Sequence, residues 1–215
     1  SAPATIVNAG TVMATTAAGV GLFGGGWLSN AATGVISGGN YGIEVRTDPA
    51  TIVNAGLVTA QNVAGVVFFA GGAVSNTGRL VGGRHGAAAT GSPATVTNQG
   101  SIDGHFGSGV LLLDGGYVSN AGTGTIIGEY FGVRMSGAAG SVVNAGTIAA
   151  TQTYSGTTVG TVQVSGVALV DGGYVSNSAG GTIGGNFFGV LISGAAGNVN
   201  NAGSIVSTGT YNHNL

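Results

Sequence analysis

Cysteine is absent from this chain, lysine is absent, proline occurs three times, and charged residues make up only 5 % of the 215 positions. Each shortage excludes something. Without cysteine there is no disulfide and no thiolate metal site. Four basic residues, all arginine, against six acidic ones leave a formal net charge of −2. A chain that neutralises phosphates needs a basic stripe, so nucleic acid is excluded as a partner class. No apolar run approaches the roughly 20 residues of a membrane helix, so no membrane span is expected. Ser1 to Gly10 has neither the basic nor the apolar segment of a signal peptide, so the expectation is a mature chain or a piece of a longer one. Glycine is abundant at 46 residues but lacks the Gly-X-Y period of collagen. Sparse charge alone would allow disorder, but regularly placed Val, Ile and Leu argue for a packed core.

What the chain does contain is a phrase that recurs with drift. It reads Thr5-Ile6-Val7-Asn8-Ala9-Gly10-Thr11, then Thr51-Ile52-Val53-Asn54-Ala55-Gly56, and returns around Asn98, Asn144 and Asn201. A sister form behind a Gly pair or run holds Trp27-Leu28-Ser29-Asn30, Ala73-Val74-Ser75-Asn76, Tyr117-Val118-Ser119-Asn120 and Tyr174-Val175-Ser176-Asn177. The key positions are Asn8, Asn30, Asn54, Asn76, Asn98, Asn120, Asn144, Asn177 and Asn201, at spacings of 22, 24, 22, 22, 22, 24, 33 and 24. A period in this range is the mark of a solenoid.

Each repeat carries three short β signals. The residue two before the key Asn is always apolar, from Ile6 and Leu28 to Val175 and Val199, while its neighbours vary. Alternation with period two puts the constant column inside and the variable ones outside. A second inward column runs Val12, Ile36, Val58, Leu80, Ile102, Ile126, Ile148, Ile183, Ile205. A third strand opens with Gly and alternates again through pairs such as Val20/Leu22, Ile43/Val45 and Val133/Met135. Three strands per turn predict an all-β, three-sided parallel β-helix of about nine coils of 22–24 residues, right-handed by the crossover rule. Residues 1–215 would form one solenoid domain about 40 Å long at the ~4.8 Å strand spacing. The key asparagines would stack at one corner and satisfy turn backbone and one another. Gly pairs at another corner would supply the backbone angles that a Cβ resists.

The "V-x-N-x-G-x-I" and "G-G-x-V-x-N" phrases resemble the repeats of autotransporter passenger domains and related large bacterial surface adhesins. The likeness covers nearly the whole chain. It implies an exported scaffold (an adhesin, a biofilm component or a stalk), and it implies nothing about catalysis, because the phrase is scaffold in that family. No segment resembles the membrane barrel such proteins carry. Two departures interrupt the pattern. About ten extra residues fall within 149–165, with Thr157 to Gln163 suited to a small flap. The ninth coil ends at Tyr211 to Leu215 before its third strand, and the uncapped ends suggest a fragment or a unit that stacks.

Polar residues that could carry chemistry are few. Arg84, His85, Asp103, His105 and Glu129 gather at one corner of coils four to six, with His105 expected between Arg84 and Glu129. Two carboxylates and two histidines suit acid–base cleavage of a glycan by a polysaccharide lyase or hydrolase; the plainer reading is a solvated turn. Asp48, Asp114 and Asp171 share a place six residues before a key Asn and read as turn caps rather than a metal site. The Gly-Gly-x-Gly-x-Asp pattern of calcium-binding β-rolls is missing, and nothing calls for a cofactor or a metal.

Aromatics recur in alternate coils. Tyr41, His85, Phe131 and Phe188 precede the third-strand Gly, and Trp27, Tyr117 and Tyr174 sit outward on the first strand. Rings can bind sugar faces, but here they more simply cover corners of the core. On the third strand's outer side Phe23, Val67, Phe69, Leu111, Leu113 and Val170 suggest an apolar strip that another surface covers. The expectation is a non-enzymatic, extracellular or cell-surface scaffold that associates with copies of itself, end to end or side by side. A sugar-binding module using the aromatic stripe, with cell-surface glycans as partners, is the other reading beside the glycan-cleaving enzyme.

Overall fold

The computed structural model describes residues 1–153 and 163–209; the expected flap at 157–163 and the Tyr211–Leu215 tail therefore lie outside the described residues, Gln163 apart. The described chain is all β and winds as a parallel solenoid of about eight turns. Its first sheet stacks nine strands from Ala4–Asn8 to Gly197–Asn201, and its second stacks nine from Thr11–Met13 to Ser204–Ser207. The third stacks eight, from Ala18–Leu22 to Phe188–Ile192. Every neighbour within a sheet is one coil away and parallel, and the register pairs key Asn with key Asn from Asn8↔Asn30 to Asn177↔Asn201. Strand order and the three inward columns therefore match what period-two alternation dictates.

The core is a single file of stacked branched side chains. Leu28, Ile52, Val118, Val142 and Val175 of the first sheet are buried, as are Ile36, Val58, Leu80, Ile102, Ile126, Ile148 and Ile183 of the second. Ile43, Val66, Val110, Val133 and Val167 close the third side. The same residue types stack on themselves, so each coil buries its apolar face against two near-copies of that face.

The glycine that opens each third strand has a role that period two does not reveal. At Gly132 an added Cβ would lie 2.5 Å from Ile148 Cγ2 and 2.6 Å from the Gly166 carbonyl oxygen. This position faces inward, directly before the inward Val133, so the chain places two successive residues on the core side and turns its corner there. The demand is for space, not for an unusual φ. The pairs at the opposite corner are different: Gly115 and Gly116 adopt φ of 68° and 132°, where a Cβ is strained.

Corner lengths alternate between successive coils. From third to first sheet, three residues join Leu112 to Gly116, but four join Met135 to Gly140. From second to third, three residues join Gly104 to Ser108, but two join Gly128 to Phe131. The large rings Tyr41, Phe131 and Phe188 start the third strand after a short corner, and the small Ala64, Ser108 and Ser165 start it after a longer one. Those small residues are fully or nearly fully buried at 0 %, 2 % and 0 % exposure. The alternate-coil aromatics thus lie beside small neighbours, in the covering arrangement expected of a solenoid corner.

Candidate functional site

The most regular polar feature is the asparagine column. Asn30 Nδ2 donates to Asn54 Oδ1 at 2.8 Å and to the Gly34 carbonyl of its own turn at 3.1 Å. It also lies 3.3 Å from the Leu57 carbonyl of the next coil. The same set repeats along the rod, so the nine asparagines are joined by eight side-chain bonds of 2.8–2.9 Å. From Asn8 to Asn177 every Nδ2 points to the following coil, which aligns the amide dipoles along the axis and lets each bond polarise the next. Asn54, Asn76 and Asn144 are 0 % exposed. The column is a structural ladder: with donors and acceptors mutually used, it has no spare group to offer a substrate.

The five residues singled out for acid–base chemistry are only partly brought together. Asp103 Oδ1 lies 3.9 Å from His105 Nδ1, and its Oδ2 lies 4.0 Å from Arg79 Nη2, a residue the sequence pattern did not single out. His105 stacks in the backbone ladder between Gly83 and Glu129, since His105 N–H bonds to Gly82 O and Glu129 N–H to Gly104 O. Arg84 is one residue removed from that column. His85 points into a different groove, where its Nδ1 accepts the Ser108 N–H at 3.1 Å. Burial first, and then the Arg84 guanidinium, pull its pKa from 6.5 to about 4, so the ring is neutral in ordinary buffers. Among the described residues no hydrogen bond or ion pair reaches the Glu129 carboxylate, and no group of three or more His, Asp or Glu is arranged to hold a metal.

Two grooves flank the exposed Phe106 ring, which stands edge-on to His105 with centroids 6.2 Å apart. One, about 210 Å³, is lined by Gln61, Val81 and His105. The other, about 190 Å³, is lined by Arg84, His85, Tyr130, Phe131 and Arg134. Comparison with protein-family models, with curated proteins and with solved structures finds no match. What the site does must therefore be argued from its own geometry.

Two of the three aspartates set apart from this corner act as turn caps. Asp114 Oδ2 accepts the Gly91 N–H at 2.6 Å, and Asp171 Oδ2 accepts the Gly137 N–H at 2.7 Å. Both glycines have left-handed φ, 84° and 78°. Asp48 lies in one of the longer corners, so counted from the third sheet it falls one place away from Asp114 and Asp171; among the described residues its side chain makes no such bond. Counting back from the key Asn conceals that offset, because alternate corners differ by one residue.

The third-sheet face is less uniformly apolar than the selected residues suggested. Phe23 is 52 % exposed and Leu113 37 %, whereas Val67 is 5 % exposed. Phe69, Leu111 and Val170 are half-buried. Glu44 and Arg134 stand in the same outward column as Val67 and Leu111. Glu44 is nearly buried, with Arg46 Nη2 2.6 Å from its Oε1 but outside hydrogen-bonding geometry. Arg46 also covers the Phe69 ring at 5.2 Å, and Tyr41 meets that ring edge-on at 6.1 Å. On the first sheet Trp27, Tyr117 and Tyr174 are 37–39 % exposed. Tyr117 and Tyr174 are two coils apart, but Trp27 and Tyr117 are four apart, with Ala73 at the intervening place. No helix among the described residues is long and apolar enough to cross a membrane.

Proposed function

We propose that the chain is a non-enzymatic structural scaffold: a segment of an extracellular bacterial surface adhesin, stalk or self-assembling fibre, of the kind its repeats resemble. The observation that carries this reading is the unbroken asparagine ladder. Nine successive first-sheet strands hold one register through eight side-chain bonds of near-identical length, seven of them buried. Such a chain invests its polar side chains in stiffness along one axis, which is what a stalk requires. A catalytic rod needs one coil to depart from the rest with an acid and a base in reach of one bond. The corner with the largest departure separates Glu129 from any partner and turns His85 away from Asp103.

Self-association supports the same role. A net charge of −2 gives little repulsion between copies, and Phe23 and Leu113 project from the third-sheet face. Copies pack side by side through that face. Sedimentation velocity over a range of concentrations tests this. Concentration-dependent dimers that disappear on Phe23→Lys with Leu113→Lys agree with it. A strict monomer at every concentration contradicts it. For the scaffold reading itself, a screen of acidic and neutral glycans should give no turnover; turnover abolished by Asp103→Asn with Glu129→Gln would overturn it in favour of a glycan-cleaving enzyme.

A further inference from the structure

Beyond a scaffold role, we propose that the groove between Arg84 and Arg134 binds a carboxylate-bearing sugar unit of an acidic glycan. The protein has four cationic side chains, and two of them line this one groove. The other two approach acids, Arg46 at Glu44 and Arg79 at Asp103. Among the described residues Arg84 and Arg134 have no carboxylate within 4.0 Å, so two guanidinium groups face a groove with no acid to answer them. In a chain with 5 % charged residues, half of the arginines lie at this one groove.

The surroundings narrow the ligand. Arg134 lies 5.5 Å over the Phe131 ring, which holds its planar fork in place. Guanidinium forks match the two oxygens of a carboxylate. Phe106 is 68 % exposed and, with Tyr130, supplies flat apolar surface for the C–H face of a pyranose. His85 keeps Nδ1 occupied by the Ser108 N–H, which leaves Nε2–H as a fixed neutral donor for a hydroxyl. Gly107 opens the floor: a Cβ there would sit 2.6 Å from Arg84 O and 2.8 Å from His85 Cε1. At about 190 Å³ the groove is smaller than the roughly 300 Å³ at which drug-sized pockets begin, so it takes one sugar unit, with the rest of the glycan lying along the open rod.

The test titrates the full chain by calorimetry with trigalacturonate, a neutral galactose trisaccharide, and inorganic phosphate. Trigalacturonate binds, and the neutral sugar and phosphate bind at least about tenfold more weakly, as loss of a charge-assisted pair or of the stacking surface demands. Arg84→Gln and Arg134→Gln each weaken trigalacturonate at least about tenfold at unchanged melting temperature. Asp103→Asn, outside the groove, leaves affinity unchanged. Equal affinity for the neutral sugar, phosphate binding as tightly as the acidic sugar, or glutamine variants that bind like the parent would each overturn the proposal. Should a glutamine variant melt early, the His85 ring resonances of the parent decide. A shift on adding trigalacturonate supports the site, and none at the highest attainable concentration overturns it.

Discussion

Removing one rung from the middle of the ladder is the sharpest perturbation of the stack. Asn98 is 1 % exposed; its Oδ1 accepts Asn76 Nδ2 at 2.8 Å and its Nδ2 donates to Asn120 Oδ1 at 2.8 Å. Asn98→Ala removes both ladder bonds, at about 1 kcal/mol net each, along with the longer Nδ2 contacts to Gly100 O at 3.1 Å and Thr125 O at 3.2 Å. It also strands Asn120 Oδ1, a buried acceptor with no other donor, for about 1–3 kcal/mol more. Asn76 Nδ2 is spared that penalty because Gly78 O and Ser101 O remain within 3.1 Å. The ladder's share of the loss is about 3–5 kcal/mol. Asn201→Ala is the control, since Asn201 is exposed, has one ladder bond (accepted from Asn177) and otherwise only exchanges solvent-exposed bonds with Gly203 of its own turn; it should cost about 1 kcal/mol. Asn98→Asp adds a pH signature. A carboxylate oxygen would face Asn120 Oδ1 in a buried site, raising the folded-state pKa above the unfolded one. The folded state then binds more protons, so stability falls as pH rises through the carboxylate range and recovers in acid. Urea titration followed by far-ultraviolet circular dichroism reads all three variants. Equal costs for Asn98→Ala and Asn201→Ala would refute the argument that the ladder is a mutually dependent series.

Other outcomes follow from the same geometry. Gly132→Ala should destabilise by about 1–3 kcal/mol. Ile148→Ala, which truncates a fully buried side chain, should itself cost about 2–5 kcal/mol. The double variant should cost less than the sum, because part of the clash is with Ile148 Cγ2 and part with the Gly166 carbonyl oxygen; thermal melting of the single and double variants checks this. Asp171→Ala should cost about 1 kcal/mol by uncapping the Gly137 N–H, with no change in oligomeric state, as read by denaturation and sedimentation. His85, with its pKa held at about 4 against 6.5 unfolded, contributes stability that is fully present above 6.5 and is lost as pH falls toward 4. Proton titration by NMR should place its midpoint near 4, and His85→Gln should flatten the stability profile across that window.

Much of the fold was open to a reading of residue order. The Ile6, Val12 and Val20 columns are visible because a narrow core forces one apolar residue at a fixed phase of each strand, and the asparagines are visible because one corner needs an amide in every coil. Less could be read at Gly132 and its equivalents. A glycine at a strand start suggests a turn angle, whereas here it marks a place where Ile148 leaves no room for a Cβ. The alternation of corner lengths was hidden because a long corner on one side is offset by a short one on another, leaving the period at 22–24 residues. That alternation explains why Tyr41 and Phe131 occur in every second coil, and it displaces Asp48 from Asp114. The arginine-lined groove was missed for a related reason. Arg84 and Arg134 lie two coils apart and on different elements, a corner and a strand, so only the folded chain brings them to one opening. His85 and His105, close in the sequence pattern, end on opposite sides of Phe106.

The central claim is that a continuous ladder of buried side-chain amides holds the coils in register, and amide hydrogen exchange of those side chains measures it directly. The Nδ2 protons of Asn54, Asn76, Asn98, Asn120 and Asn144 should exchange as slowly as the backbone amides of Val96 and Val118 in the core, while those of Asn200 exchange at the rate of a free amide. Ladder side chains that exchange as fast as Asn200, beside a protected backbone, would contradict it.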